Sequence, residues 1–352
     1  MWAALVIPGM ALAGMGGARA SVVEDAQASH AVVFAYVRVG DDARPELSVT
    51  LDQFEEHLQE LKAGNYNVAR LDDVVVALRD GVPLPDRTVV LTFDLAHRAS
   101  MQMAVPRLEA AGFPYAVFVP PALVDAGGEQ VMSWDELREL KARGAVIGLQ
   151  TISVNDLAHT SLDRMQADLD DAIRRYHEEF GSDPQLFAYP FGEYSLALRD
   201  LVRSRGLTAA FGRQSSVAYT GDDLFALPRF PLSGNFAGID RFRLAAEALP
   251  LPVSDLTPRD PVLVAENPPN FGFTLPDALS GVEQLACFAS GQGRTELNWL
   301  GDTRVEIRLN EPFPPGQARI NCTMPTDDGR WRWFGRQFFI AGPTDVGMLM
   351  AP

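Results

Sequence analysis

From about residue 30 to 215, short uninterrupted apolar runs alternate with longer stretches of helical periodicity. The runs at 32–37, 68–71, 89–94, 115–119, 145–150, 186–189 and 208–211 are short and mostly lack alternation, which predicts strands buried on both faces. Between them, Phe54, Leu58 and Leu61 fall on one helical face, behind a Thr50-x-x-Gln53 capping box and ahead of Gly64. Ser133-x-x-Glu136 repeats the box, with Gly144 as its stop. Leu162, Met165, Leu169, Ile173 and Tyr176 line a longer amphipathic helix closed by Gly181. Helices set between continuous apolar strands predict a parallel α/β sheet. Seven strands suit a closed, distorted barrel; on pattern alone an open doubly wound sheet also fits.

The pattern then changes. Residues 249–261 carry prolines at 250, 252, 258 and 261 and read as an extended linker. After it come short alternating segments at 281–289, 304–309, 319–324 and 331–340, separated by turns such as Asp327-Asp328-Gly329. This predicts a small β-sandwich. At the other end, residues 3–15 are apolar but shorter than the ~20 residues that span a bilayer. Gly17-Ala18-Arg19-Ala20 offers a small-x-small cleavage site before Ser21, although a basic n-region is missing. The expected organisation is a signal peptide at 1–20, a barrel at 21–248, a linker at 249–261, a β-sandwich at 262–342 and a tail at 343–352. The protein is expected to be exported, to the periplasm or beyond, with no transmembrane segment in the mature chain.

Composition narrows the partners. Against 46 Asp plus Glu there are 30 Lys plus Arg, a formal charge of −16, and such a surface repels nucleic acid and anionic lipid. A neutral or cationic glycan is easier to accept. Cys287 and Cys322 both fall in apparent strands of the C-terminal part. A disulfide between them suits an exported protein, with two buried thiols as the alternative. Two cysteines without nearby histidine make a poor zinc site.

The candidate chemistry sits where the third apolar run ends in Thr92-Phe93-Asp94. α/β enzymes place reactive groups at the C-terminal mouth of such strands. The next position is Leu95. Thr92-Phe93-Asp94-Leu95 resembles the Thr-Phe-Asp-Asp signature of the polysaccharide deacetylases, metal-dependent carbohydrate esterases with the NodB homology domain. Three further segments agree in order and spacing. Ser133-Trp134-Asp135-Glu136-Leu137 resembles a Trp-containing helix start. Residues 148–154, Gly-Leu-Gln-Thr-Ile-Ser-Val, align with Gly-Ser-His-Thr-x-Ser-His. Residues 187–194, Phe-Ala-Tyr-Pro-Phe-Gly-Glu-Tyr, align with Arg-x-Pro-Tyr-Gly.

The resemblance covers roughly residues 30–235 and implies a distorted (β/α)7 barrel that removes N-acetyl groups from a polysaccharide. In that chemistry a divalent metal such as zinc, held by one Asp and two His, lowers the pKa of a bound water toward about 7. A second Asp takes the proton, and a backbone N–H near the Pro-Tyr segment holds the oxyanion. Carried over residue by residue, the base falls on Asp94. The metal positions fall on Leu95, Gln150 and Val154, of which two are aliphatic. The motif arginine falls on Ala188, the oxyanion segment on Pro190 and Phe191, and a first-strand histidine of many relatives on Val37. Tyr189, Pro190, Phe191 and Trp134 are the expected substrate-binding residues, and no resident metal is expected.

Rescue would have to come from the five histidines. His57 and His177 read as solvated helix residues, and His30 as a loop residue before the first strand. An Asp94–His97–His159 site is the sharp alternative, and Glu193 is the best acidic partner for Asp94 if a two-carboxylate mechanism operates. No Gly-x-Ser-x-Gly elbow or phosphate-binding glycine loop is present. Trp331 and Trp333 share one face of a C-terminal strand and would stack on sugars or fill a core. Three readings result: a degenerate member that binds or organises a polysaccharide, an active hydrolase with a rearranged site, or a structural, partner-binding envelope protein.

Overall fold

The structure is a computed structural model that describes residues 29–152, 160–264 and 266–341. The expected signal segment, the tail from 343, Val154 and His159 lie outside the described residues. A parallel sheet forms from β1 (His30–Tyr36), β2 (Asn67–Val68), β3 (Thr88–Asp94), β4 (Ala116–Val119), β5 (Val146–Leu149), β6 (Leu186–Ala188), β7 (Ala209–Phe211) and β8 (Phe230–Leu232). The strand order is β8-β1-β3-β4-β5-β6-β7, with β2 beside the start of β3. Leu227 bridges to Phe211, and Gly212 N donates to Leu227 O at 2.9 Å. The chain entering β8 therefore lies along β7, and the curled sheet closes through residues 224–232.

All seven expected strands are present, although the run at 68–71 contributes only Asn67–Val68 before helix starts at Leu71. The eighth was not expected. Pro228, Arg229 and Pro231 interrupt its apolar run, and proline is ordinarily a mark against a strand. The helices are α1 (Leu51–Ala63), α2 (Leu71–Asp80), α3 (Arg98–Ala111), α4 (Pro121–Ala126), α5 (Trp134–Ala142), α6 (Leu162–Phe180), α7 (Leu196–Ser204) and α8 (Ile239–Ala246). Both predicted capping boxes form reciprocally, at Thr50/Gln53 and Ser133/Glu136.

Alternation along each strand separates two apolar clusters. Val32, Phe34, Tyr36, Val89, Leu91 and Phe93 pack outward under the helices. Ala31, Val33 and Val90 face the other way with Phe118, Phe211 and Leu227. Asp94 shares the second face by its period-two spacing from Val90 and Thr92.

Two histidines are placed differently from expectation. His57 is fully buried on α1, its Nδ1 3.1 Å from the Tyr36 hydroxyl and its Nε2 2.8 Å from Ala237 O, with the ring stacked on Phe242 at 4.1 Å. Its charged neighbours in sequence lie on the other side of the helix, which is why it reads as solvated. His30 is buried and opens β1. His177 is exposed and pairs with Asp183 at 2.7 Å.

The C-terminal region has two sheets. One has the order β9 (Leu249–Pro250), β18 (Trp331–Ile340), β17 (Gly316–Pro325), β13 (Ala286–Ala289), β14 (Gly293–Arg294), with β11 (Val262–Leu263) also on β18. The other runs β10 (Ser254–Thr257), β12 (Phe271–Thr274), β16 (Arg304–Arg308), β15 (Glu296–Leu300). Phe271, Phe273, Val305 and Ile307 of the second sheet share one cluster with Cys287, Ile320, Cys322 and Phe338 of the first. Cys287 and Cys322 are opposite each other on β13 and β17 and form a disulfide. Residues 249–261, expected as a linker, supply β9 and β10 and are paired into both sheets. Trp333 does not belong to the C-terminal cluster. It is buried in the main barrel cluster, its ring 5.3 Å from Phe230 and edge-on to it. Trp331 remains partly exposed.

Candidate functional site at the strand mouth

Asp94 ends β3 inside the barrel mouth and is almost fully buried. A buried carboxylate needs a cation and hydrogen bonds. Both come from Arg229, which is fully buried. Its Nη1 donates to Asp94 Oδ1 at 2.7 Å and Nη2 to Oδ2 at 3.1 Å, a bidentate pair. Nη1 also reaches Thr92 Oγ1 at 3.1 Å, Nε donates to Gly212 O at 2.9 Å, and the guanidinium lies 5.1 Å from the Phe118 ring centre. Thr92 Oγ1 in turn donates to Phe34 O at 2.7 Å. β3, β7 and β8 are thus tied together by one side chain. The sequence reading missed Arg229. The available signal was an arginine between two prolines in an otherwise apolar run, since a charge in such a run implies a buried partner.

The chain leaves β3 through two residues with left-handed backbone, Leu95 (φ 71°) and Ala96 (φ 46°), and such strain gathers at functional turns. Leu95 N donates to Phe118 O at 3.0 Å. The Leu95 side chain at this turn offers no ligand atom. Gln150 is buried at the end of the β5 run, and its Oε1 has no hydrogen-bond partner. Val154, the third position, lies outside the described residues.

This donor set does not fit a divalent cation. Leu95 has no ligand atom, Gln150 offers a neutral amide, and both Asp94 oxygens are held by a buried guanidinium that would repel a metal. Nor does His97 supply a replacement. It caps α3, with Nε2 2.8 Å from Arg38 Nη1 and Nδ1 3.0 Å from Ser100 Oγ. Burial, followed by the charge of Arg38, pulls its pKa below the usual histidine value. His159 lies outside the described residues. Among the described residues no group of three His, Cys, Asp or Glu side chains is arranged to hold a metal.

The expected substrate-binding residues are divided. Tyr189 is fully buried, donates to Phe225 O at 2.9 Å and stacks on buried Tyr194 at 5.1 Å. Desolvation raises its pKa well above that of free tyrosine. Pro190 is buried beneath Phe191, which projects into solvent from a left-handed backbone (φ 56°). Of the aromatic trio at this mouth, only Phe191 is therefore presented to a ligand. Gly192 (φ 77°) follows because a Cβ there would lie 2.5 Å from Arg213 N. Glu193 is buried and accepts from Gln317 on β17, so it fastens the mouth to the C-terminal sheet instead of facing Asp94. Trp134 is buried on α5, donating to Asp125 at 2.7 Å and packing edge-on to Phe180, which makes it a helix-packing residue.

With this geometry in view, the comparisons find likeness to polysaccharide deacetylases. Residues 81–210 match the polysaccharide deacetylase family model. The chain is 20% identical over 192 residues to the YxkH protein of Bacillus subtilis (strain 168), covering 54% of this chain and 68% of that one. It is 24% identical over 253 residues to the poly-beta-1,6-N-acetyl-D-glucosamine N-deacetylase of Escherichia coli (strain K12), covering 58% of this chain but 37% of the relative. Among solved structures, the Streptococcus pyogenes deacetylase PplD superposes with a TM-score of 0.57 at 20% identity, over 62% of this chain and 98% of PplD. IcaB from Ammonifex degensii gives 0.55 at 22%, over 63% and 99%. At these identities the superpositions establish the fold.

Proposed function

From the match of residues 81–210 to the polysaccharide deacetylase family model, we propose that this chain, as a member of that family, binds or organises an N-acetylated extracellular polysaccharide without metal-dependent hydrolysis. The single observation that carries this reading is Arg229 on Asp94. The carboxylate expected to act as base is neutralised by a bidentate buried cation, beside a Leu95 that cannot ligate a metal. The substrate class follows from a relative named for poly-beta-1,6-N-acetyl-D-glucosamine. Export is inferred from the apolar segment at 3–15 and the cleavage pattern before Ser21; among the described residues no helix is long and apolar enough to cross a membrane. We read the C-terminal region as a β-sandwich domain from about residue 262, with 249–261 as its paired lead-in.

The rival reading keeps hydrolysis through a rearranged site. The unpartnered, buried Oε1 of Gln150 is the observation in its favour, because an orphan acceptor invites a donor or an ion. One experiment separates the two. The purified protein is dialysed against excess zinc or cobalt, freed of unbound ion, analysed for metal, and assayed for acetate release and for binding to an N-acetylglucosamine oligomer. Metal near zero, no acetate and measurable oligomer binding is the expected result. A stoichiometry near one with acetate release would overturn the proposal.

A further inference from the structure

Arginines elsewhere in this acidic chain are commonly matched to carboxylates, as at Arg98–Glu136, Arg107–Glu55 and Arg205–Asp170. Three near the barrel mouth are not. Arg213, Arg241 and Arg319 enter no ion pair among the described residues, and the Nε of each is buried without a hydrogen-bond partner. Arg213 follows β7, one residue past the Gly212 that Arg229 holds. Arg319 comes from β17 and Arg241 from α8. Arg213 and Arg319 line one cleft of about 450 Å³, with Phe236 and the 233–235 turn on its wall and the exposed Glu46 at its rim. An adjoining cleft of about 210 Å³ shares Arg319 and Phe236 and adds Phe288. Arg241 lies behind, its guanidinium 4.9 Å from the Phe236 ring.

The electrostatics agree with the geometry. Burial pushes the Arg213 guanidinium down to about 10, with Arg229 and Arg319 adding to the drop and Asp94 opposing it. Arg319 is lowered by burial, and Arg241 by burial and by Arg319. Guanidinium stays protonated at neutral pH, so the groove holds cations that enter no ion pair among the described residues. Their planar donor forks match carboxylates and phosphates. Phe236 and Phe288 are both partly exposed, which gives the same groove two flat apolar surfaces of the kind that suit a sugar ring.

We propose that this groove, between the barrel mouth and the C-terminal sheet, binds an acidic sugar residue. Its carboxylate is held by Arg213 and Arg319, and its ring lies on Phe236 or Phe288. The polymeric carrier of that residue rests on the polysaccharide reading above; the anion site itself does not. A neutral N-acetylglucosamine polymer does not use these arginines, so the groove selects for a polymer that carries both kinds of residue or is acidic throughout.

The test is calorimetric titration of the full chain with trigalacturonate, inorganic phosphate and an N-acetylglucosamine trimer, repeated on Arg213→Gln and Arg319→Gln. Trigalacturonate is expected to bind the parent, with phosphate competing, and each substitution should weaken it about tenfold or more. The N-acetylglucosamine trimer should be insensitive to both substitutions. Because each substitution removes an uncompensated buried cation, the ligand-free variants should melt at or above the parent temperature, whereas arginines with a purely structural role would lower it. The proposal is overturned if the parent does not bind trigalacturonate, if binding survives both substitutions, or if only phosphate binds, which would mark a site for free anions. Failure of the N-acetylglucosamine trimer to bind would count against the substrate class proposed above and leave the groove intact.

Discussion

Substituting Arg229 by Met keeps an unbranched apolar stem and removes every donor that now serves Asp94, Thr92 and Gly212. Asp94 is then a buried carboxylate that has lost its hydrogen-bonded cation and keeps only the more distant charge of Arg213. Breaking a buried pair from one side typically costs about 3–5 kcal/mol. Asp94→Asn leaves the mirror problem, a fully buried guanidinium facing a neutral amide, and should fall in the same range. Asp94→Leu combined with Arg229→Met removes both charges, and such replacements are often close to neutral. Urea unfolding followed by tryptophan fluorescence should therefore show two strongly destabilised single variants and a double variant within about 2 kcal/mol of the parent. The coupling energy would be about 3 kcal/mol or more. In a metal-dependent deacetylase that uses this aspartate as its base, Asp94→Asn would abolish turnover while leaving stability nearly unchanged. Single variants each within about 1 kcal/mol of the parent, or a double variant equal to the sum of the singles, would refute the view that this carboxylate is structurally committed.

Burial pulls the His57 pKa down from 6.5 to about 4. Between those values the unfolded chain takes up a proton that the native state refuses, so stability is full above pH 6.5 and falls as pH drops toward 4, by about 3 kcal/mol; His57→Gln should flatten that part of a pH–stability profile. Gly192→Ala should destabilise by more than about 1 kcal/mol in thermal melts, because φ is 77° and the new methyl would meet Arg213 N at 2.5 Å. Leu95→Asp with Gln150→His and Val154→His should not bind zinc by elemental analysis while Arg229 occupies Asp94. Adding Arg229→Met to that set should bring the stoichiometry toward one if the rest of the ancestral pocket is preserved.

The strands of the barrel were legible because parallel strands buried on both faces have an almost unmistakable apolar run, and the helices because their caps are local. What escaped was decided by partners distant in sequence. Arg229 lies 135 residues from Asp94, and β8 pairs with β1 although Pro231 sits within it. His57 was misread because its burial depends on Ala237, which lies 180 residues away. At the mouth, the residue types at Leu95 and Gln150 were visible in the sequence, but the guanidinium that holds Asp94 was not. Sequence motifs mark which positions form a site and give little sign of a substitute arriving from another strand. The aromatic residues divide along the same line: Tyr189 and Trp134 are buried against neighbours distant in sequence, whereas Phe191 is exposed.

Trp333 ties the two halves of the molecule into one unit. It is contributed by the last long strand, yet it fills the core beneath Phe230, and β9 reaches back to pair beside it. A chain cut after Ala248 would leave a hole of indole size in the barrel and would strip Trp333 of its packing against Phe230, so both fragments should be less stable than the same segments in the whole chain. Calorimetry should find a single cooperative melt. Any other sheet grafted in place of the C-terminal one would have to bring its own replacement for this one side chain.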